Sequence, residues 1–376
     1  MESKAELLMK YWGTTDSKEI TRQDANFGNI EGKNLPRDLK EWVEMDFPYY
    51  APEDELPAPL PTMAEIEAAR FGDTNMTRNK YELQHIFRLS GVYAVKFSLH
   101  AVTIQEAENL LFLSKNTKIR VPKVYAAFEH KGADPLGEVG SRICPDRSFL
   151  PIYYYLIMEY IPGKPCTERN FNRLSPKTQE NIVRKVAKEM RLLRNVPAPA
   201  PEYYGRIYHR GWAPAFPNLT RYGPPGYLKG PFDSHEDFIN AVYTSSQIMA
   251  SSQGVPEEDL QYICKLYLHT FRQIMSRAAG KTPVLCHPDF HFDKVIILEN
   301  PVDKDDPDVA IVSWGMMGWV PEYMATERSF HKTPNLTLRM LYNWEMSKSI
   351  VEPHLDVALY FETFCAKTAN NEHKHK

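Results

Sequence analysis

Proline is the feature that most narrows what this chain can build. The 376 residues hold 29 prolines against 18 glycines. Each proline removes a backbone donor and crowds the turn before it, so a coiled coil or a long helical solenoid is excluded. The prolines are also grouped, in the lead-in around 48–59, in 131–151 and in 197–232. Hydrophobic residues make up 43% and charged residues 25%, which allows a packed core in one two-lobed unit or in two domains. The net charge of −3 provides no basic field, so neither nucleic acid nor an anionic membrane is an expected partner. The opening run is too short and too charged for a signal peptide, and no apolar stretch reaches the ~18 residues of a membrane span. Five scattered cysteines without a CxxC pair argue against structural zinc and for a reducing, cytoplasmic compartment.

Between the proline groups the periodicity is readable. Residues 1–61 end in a proline-rich segment expected to lie extended on the surface. Residues 81–98 predict a β-hairpin turning at Ser90-Gly91. A helix follows from Thr103, with Thr103 as N-cap and Glu106 closing a capping box. Residues 120–130 and 152–163 read as strands, the second buried and ending in a turn. Beyond Gly163 the pattern becomes helical. Ser175-Pro176 is a cap and helix-opening pair, and Ile182, Val183, Val186, Met190 and Leu193 form one apolar stripe. Helices are expected over 235–251, 257–278 and 335–366, with short strands at 284–287, 294–298 and 309–313. No internal repeat is evident.

A β-rich N-terminal part, a linking strand and a helical part with a β insert is the layout of a kinase. Lys96 lies on a strand in Ala94-Val95-Lys96, and Glu106 lies on the next helix. In kinases a strand lysine grips nucleotide phosphates and a helix glutamate holds that lysine. Read singly, Lys96 could be a solvated edge charge and Glu106 only a capping residue.

Residues 285–323, LCHPDFHFDKVIILENPVDKDDPDVAIVSWGMMGWVPEY, resemble the aminoglycoside phosphotransferase family, in particular its fungal members. The family pattern is roughly L-x-H-G-D-L-x-x-x-N-I-L, a hairpin, then I-I-D-W-E-x-A-G-W-x-P-x-E. Residues 60–69, 108–129, 155–165 and 230–242 are similar to other family segments, so the resemblance covers about 60–325. It implies an α+β, protein-kinase-like two-lobed fold: an N-terminal extension 1–61, an N-lobe 62–160 and a helical C-lobe 161–376. It also implies that Asp289 aligns with the catalytic base, that His287 supports its loop, and that Met158, Glu159 and Tyr160 of the hinge join Lys96 and Glu106 in holding a nucleotide or other ligand. The helical lobe of the family recognises the acceptor, which makes the aromatic, Arg-rich segment around Arg206, Arg210 and Trp212 a candidate substrate loop; Arg221 lies further along it. The other reading of that segment is a proline-stiffened loop packing its own aromatics.

The departures bear most on function. The family's metal-binding asparagine aligns with Lys294, its metal aspartate with Ser313, and the glutamate after the tryptophan with Gly315. Magnesium takes hard oxygen ligands in octahedral geometry. A lysine ammonium has no lone pair, and a serine hydroxyl is a neutral substitute for a carboxylate. No metal is therefore expected, and ATP with magnesium is a cofactor only if the site tolerates these changes. Three functions compete. The first is a repurposed enzyme of specialised (secondary) metabolism, using Asp289, His287, Lys294 and Ser313 in the interlobe cleft for acid/base chemistry on a small organic molecule, of the cyclisation or isomerisation type. The second is an ATP-dependent small-molecule phosphotransferase in which Lys294 stands in for the metal. The third is a non-catalytic pseudokinase that binds a ligand.

Other candidates have plainer explanations. His287, Asp289 and His291 alternate as zinc ligands can, but the kinase-like loop accounts for the first two. Cys286 suits a buried strand position. Asp303, Asp305, Asp306 and Asp308 lack the glycine and terminal glutamate of an EF-hand and suit a solvated hairpin tip.

Overall fold

The computed structural model describes residues 2–20, 22–23, 43–72, 77–79, 84–98, 102–131, 152–212, 230–252, 262–299, 301–325, 335–348 and 354–369. The insertion at 132–151, most of the proline-rich loop (213–229, with Arg221), and Cys144 lie outside them.

The chain opens with a helix, α1 (Lys4–Trp12), that the periodicity had not shown. Its signals are local: Ser3 Oγ accepts from Glu6 N at 3.2 Å, the Glu6 carboxylate accepts from Ser3 N at 2.7 Å, and Gly13 ends the helix at φ 67°. After β1 (Tyr49–Tyr50) comes α2 (Met63–Gly72), started by the same device from Thr62 and Glu65. Four strands and a helix follow: β2 (Thr77–Asn79), β3 (Gln84–Leu89), β4 (Tyr93–Ser98), α3 (Val102–Asn116) and β5 (Val124–Lys131). The β3–β4 turn holds Ser90 at φ 52° and Gly91 at φ 77°, which is the hairpin expected there. Then come β6 (Ile152–Glu159), β7 (Gly163–Pro165) and the single-turn α4 (Glu168–Phe171). Next is α5 (Pro176–Arg194), with Ser175 as its N-cap and Pro176 in its first turn. The remaining elements are α6 (His235–Ser252), α7 (Tyr262–Ser276), β8 (Pro283–Cys286), β9 (Val295–Leu298), β10 (Val309–Ile311), β11 (Gly318–Pro321), α8 (Leu336–Ser347) and α9 (Leu355–Ala369). No helix among the described residues is long and apolar enough to cross a membrane.

The contacts divide the chain into two compact units, each discontinuous in sequence. One comprises Leu35–Arg173 and Asp293–Gly315, and the other Met1–Asn34, Leu174–Phe292 and Met316–Lys376. The first is the sheet unit. Its six-stranded antiparallel sheet has the order β1-β5-β6-β4-β3-β2, and a second sheet has the order β10-β9-β7. Phe97 stacks on Tyr155, and Tyr155 on Phe128, with ring centroids 5.6 and 5.3 Å apart. The other is the helical unit, where α6, α7 and α9 bury Phe238, Phe271, Phe361 and Phe364 around the β8–β11 pair.

Two expectations change here. The proline-rich end of the extension is mostly exposed over 52–59, as expected, but residues 1–61 are not a separate extension. Leu7, Leu8 and Trp12 of α1 join the core of the helical unit, while β1 pairs with β5 and extends the large sheet. The boundary at 160 is also crossed, because β7 at 163–165 pairs with β9 and the 293–315 hairpin clusters with the sheet unit.

Candidate functional site

In the sheet unit, Lys96 sits mid-strand on β4, opposite Ile86 and Leu156, where neighbouring strands on both sides hold its backbone. It is 7% exposed, and its Nζ lies 2.5 Å from Glu106 Oε2 on α3. Glu106 is 1% exposed and is therefore a paired buried charge, the arrangement burial requires. The expected capping box is not what forms: α3 begins at Val102, and the buried Thr103 hydroxyl pairs with Ser98 Oγ at 2.7 Å. Tertiary pairing takes both side chains that a local cap would have used.

The segment 312–315 runs beside this ion pair. A Cβ on Gly315 would lie 3.7 Å from Glu106 Oε2, so the backbone approaches the carboxylate closely. Asn109 Nδ2 of α3 donates to Trp314 O at 2.7 Å, and the buried Trp314 ring donates its Nε1 proton to Ile311 O at 2.8 Å. Ser313 stands between these anchors at φ 67°, a left-handed conformation that serine adopts at a cost of ~1 kcal/mol or more. Val312 N donates to Lys294 O at 2.9 Å, which ties the segment to the start of β9. Lys96, Glu106, Ser313, Gly315 and the Lys294 backbone are thus gathered within one unit.

Two of the hinge residues are committed locally. Glu159 receives both terminal nitrogens of Arg120 and the Lys123 backbone N–H at 3.3 Å. Burial pushes the Glu159 carboxyl up, but the Arg120 guanidinium overcomes this and holds it below the usual range. Tyr160 N donates to Val92 O at 2.9 Å, and the Arg88 guanidinium lies 4.2 Å over the Tyr160 ring. Met158 is buried opposite Ala94.

The helical unit carries His287 and Asp289, at the end of β8. Phe290 N donates to His287 O at 3.0 Å, closing a tight turn, and Phe290 and Phe292 pack on Tyr342. His287 is 3% exposed, edge-on to Phe290, which suits a loop support. The Asp289 side chain keeps 26% of its exposure, and its Oδ1 lies 3.7 Å from His291 Nε2. A cavity of about 30 Å³ behind the turn is lined by His287, Cys286, Arg194, Phe290, Tyr342 and Met346, with room for a water or two. Among the described residues no cluster of three His, Cys, Asp or Glu could hold a metal.

Of the expected substrate loop, 203–207 and 212 are buried and 208–211 are exposed or half-buried. Arg206 and Trp212 are each 1% exposed. Trp212 packs on Phe232 and Phe238, and Gly318 comes so close that a Cβ there would lie 2.3 Å from Trp212 Nε1. Trp212 joins the core of the helical unit, as the self-packing alternative for this segment expects. Arg210 is half-buried, whereas Tyr208 is exposed at φ 57°.

A five-stranded core sheet extended by β1, a strand lysine paired with a helix glutamate, and a β8–β10 segment carrying His-x-Asp define an α+β fold of the protein-kinase-like kind. The chain belongs to the phosphotransferase enzyme family, APH, whose model matches residues 90–322. No curated relative matches it. Among solved structures, it is similar to the streptomycin-ATP-APH(2")-IIa ternary complex at 13% identity, covering 82% of this chain and 90% of that one with a TM-score of 0.49. The GDP complex of wild-type aminoglycoside 2'-phosphotransferase-IIIa shares 14% identity, with coverages of 81% and 88% and a TM-score of 0.48.

The family implies magnesium and a nucleotide. The donor set does not fit magnesium: the two aligned positions present an ammonium and a hydroxyl, and Glu106 is already neutralised by Lys96.

Proposed function

We propose that this chain is a metal-independent member of its family that holds the anionic group of a small organic molecule and acts on it by acid/base chemistry, in specialised metabolism. The observation that carries this reading is the replacement of both metal-ligand positions by Lys294 and Ser313 while the Lys96–Glu106 pair stays built. A cation that was formerly inorganic is replaced by fixed side-chain charge, which can stabilise a developing oxyanion such as an enolate. Asp289, five residues before Lys294 in the chain, is the proposed proton acceptor and donor; its partial exposure suits that role. His287 supports the turn that carries it.

A second reading is phosphotransfer from ATP with Lys294 in place of the metal. The intact Lys96–Glu106 pair favours it, because that pair serves phosphate binding in kinases. ATP binding measured by calorimetry separates the two. Under the first reading ATP binds weakly or not at all, magnesium leaves any affinity unchanged, and no hydrolysis follows. Magnesium-dependent tight binding with turnover would overturn it. The double variant Lys294→Asn with Ser313→Asp should gain magnesium-dependent ATP binding, at least tenfold over the parent, since it restores two oxygen ligands.

A further inference from the structure

Glu108 lies two residues beyond Glu106 on α3, which turns it about 200° around the helix to the opposite face. It is 1% exposed. Its Oε1 accepts the backbone N–H of Glu44 at 2.5 Å and of Met45 at 3.1 Å. A buried carboxylate that accepts two backbone donors from 64 and 63 residues away ties the N-terminal strap to α3. The strap is itself secured further along: β1 pairs with β5, Ala51 N donates to Tyr125 O at 2.8 Å, and the Tyr93 hydroxyl donates to Ala58 O. At one turn, then, α3 is gripped on one face by Lys96 through Glu106 and on the other by the strap through Glu108.

We infer that Glu108 is a positioning residue: with residues 43–45 it sets the rotation of α3 and so holds Glu106 on Lys96. If the strap releases, the helix is free to roll about its axis. The Glu106 carboxylate then moves away and the lysine ammonium loses its orientation. This rests on Lys96 being the anion-gripping group, but it concerns the Lys96–Glu106 geometry itself and can be read without any substrate.

The test is the rate at which the Lys96 amine is acylated by acetic anhydride, followed by mass spectrometry on the intact chain. In the native protein Lys96 is protected by burial and pairing. Glu108→Gln is expected to raise its rate at least tenfold, approaching that of Glu106→Gln. Ile66→Ala, which opens a void in the sheet unit away from this pairing, is the control for general loosening. If Glu108→Gln does not fold, Glu44→Pro removes one of the two donors and leaves Glu108 in place. Unchanged protection of Lys96 in whichever of these variants folds, or an equal rise in Ile66→Ala at matched melting temperature, would overturn the inference. Failure of every small organic anion tried to bind would count against the proposed function and leave this result untouched.

Discussion

Ser313 shows how firmly neighbours can set the conformation of a single position. Its backbone stays at φ 67° between the Lys294 and Asn109 hydrogen bonds, although serine has less tolerance for that region than aspartate or asparagine. The conformation is imposed by neighbours, and no reading of residue type alone would have found it. His235 is a second case. It is 4% exposed, with Nε2 3.1 Å from the Tyr323 hydroxyl. Burial, reinforced by Lys281, lowers its pKa from 6.5 to about 4. The unfolded chain therefore takes up this proton first as pH falls. Stability is full above pH 6.5 and declines by up to about 3 kcal/mol between pH 6.5 and 4. Urea unfolding at pH 7 and 4.5 should show that loss in the native chain and a flatter dependence in His235→Asn. An identical slope in both would place the acid sensitivity elsewhere.

Elements were legible where their signals were local. Ser175-Pro176 starts α5 because cap and first turn are adjacent in sequence, and the β3–β4 hairpin turns where Ser90-Gly91 permits positive φ. Elements that exist only through a distant partner were not. The two-residue β1 is a strand because β5, over 70 residues on, offers an edge. Likewise β7 is a strand because β9 pairs with Gly163–Pro165. That pairing depends on a glycine: a Cβ at 163 would lie 2.4 Å from Ile297 O and 2.5 Å from Ile296 Cγ2. Gly163→Ala should cost about 1–3 kcal/mol through overpacking and speed amide exchange at Glu299 and Cys166, whose N–H groups donate to Pro162 O and Val295 O across this pairing. Exchange as slow as in the parent would show that the strands adjust without separating. Glu106 illustrates the remaining ambiguity. The motif of a capping box and the partner of a strand lysine ask for the same residue, and only the fold chose the second.

At the scale of the molecule, the N-terminal 61 residues are structural parts of both units. Leu7, Leu8 and Trp12 are buried in the helical unit, each worth roughly 1.5–3 kcal/mol of transfer free energy. The sheet unit draws on β1, on the donors to Glu108 and on Ala58. A chain beginning at Thr62 should therefore lose its cooperative thermal transition or precipitate on expression, and calorimetry against the full chain decides this. A melting temperature within about 3 °C of the parent, a shift of only ~1 kcal/mol in a domain of this size, would show the segment to be dispensable.

Much of this protein was already determined by residue order alone. The family pattern at 285–323, the helix-opening caps and the hairpin turn all depend on residues a few positions apart, where propensity and spacing act without a partner. What the tertiary structure decided depends on groups brought together from far apart in the chain. It turned Arg206 and Trp212 inward and fastened Glu108 to a segment more than sixty residues away. Burial makes an unpaired charge costly, so each of these side chains takes the partner that the fold delivers, and that partner cannot be read from its neighbours in sequence.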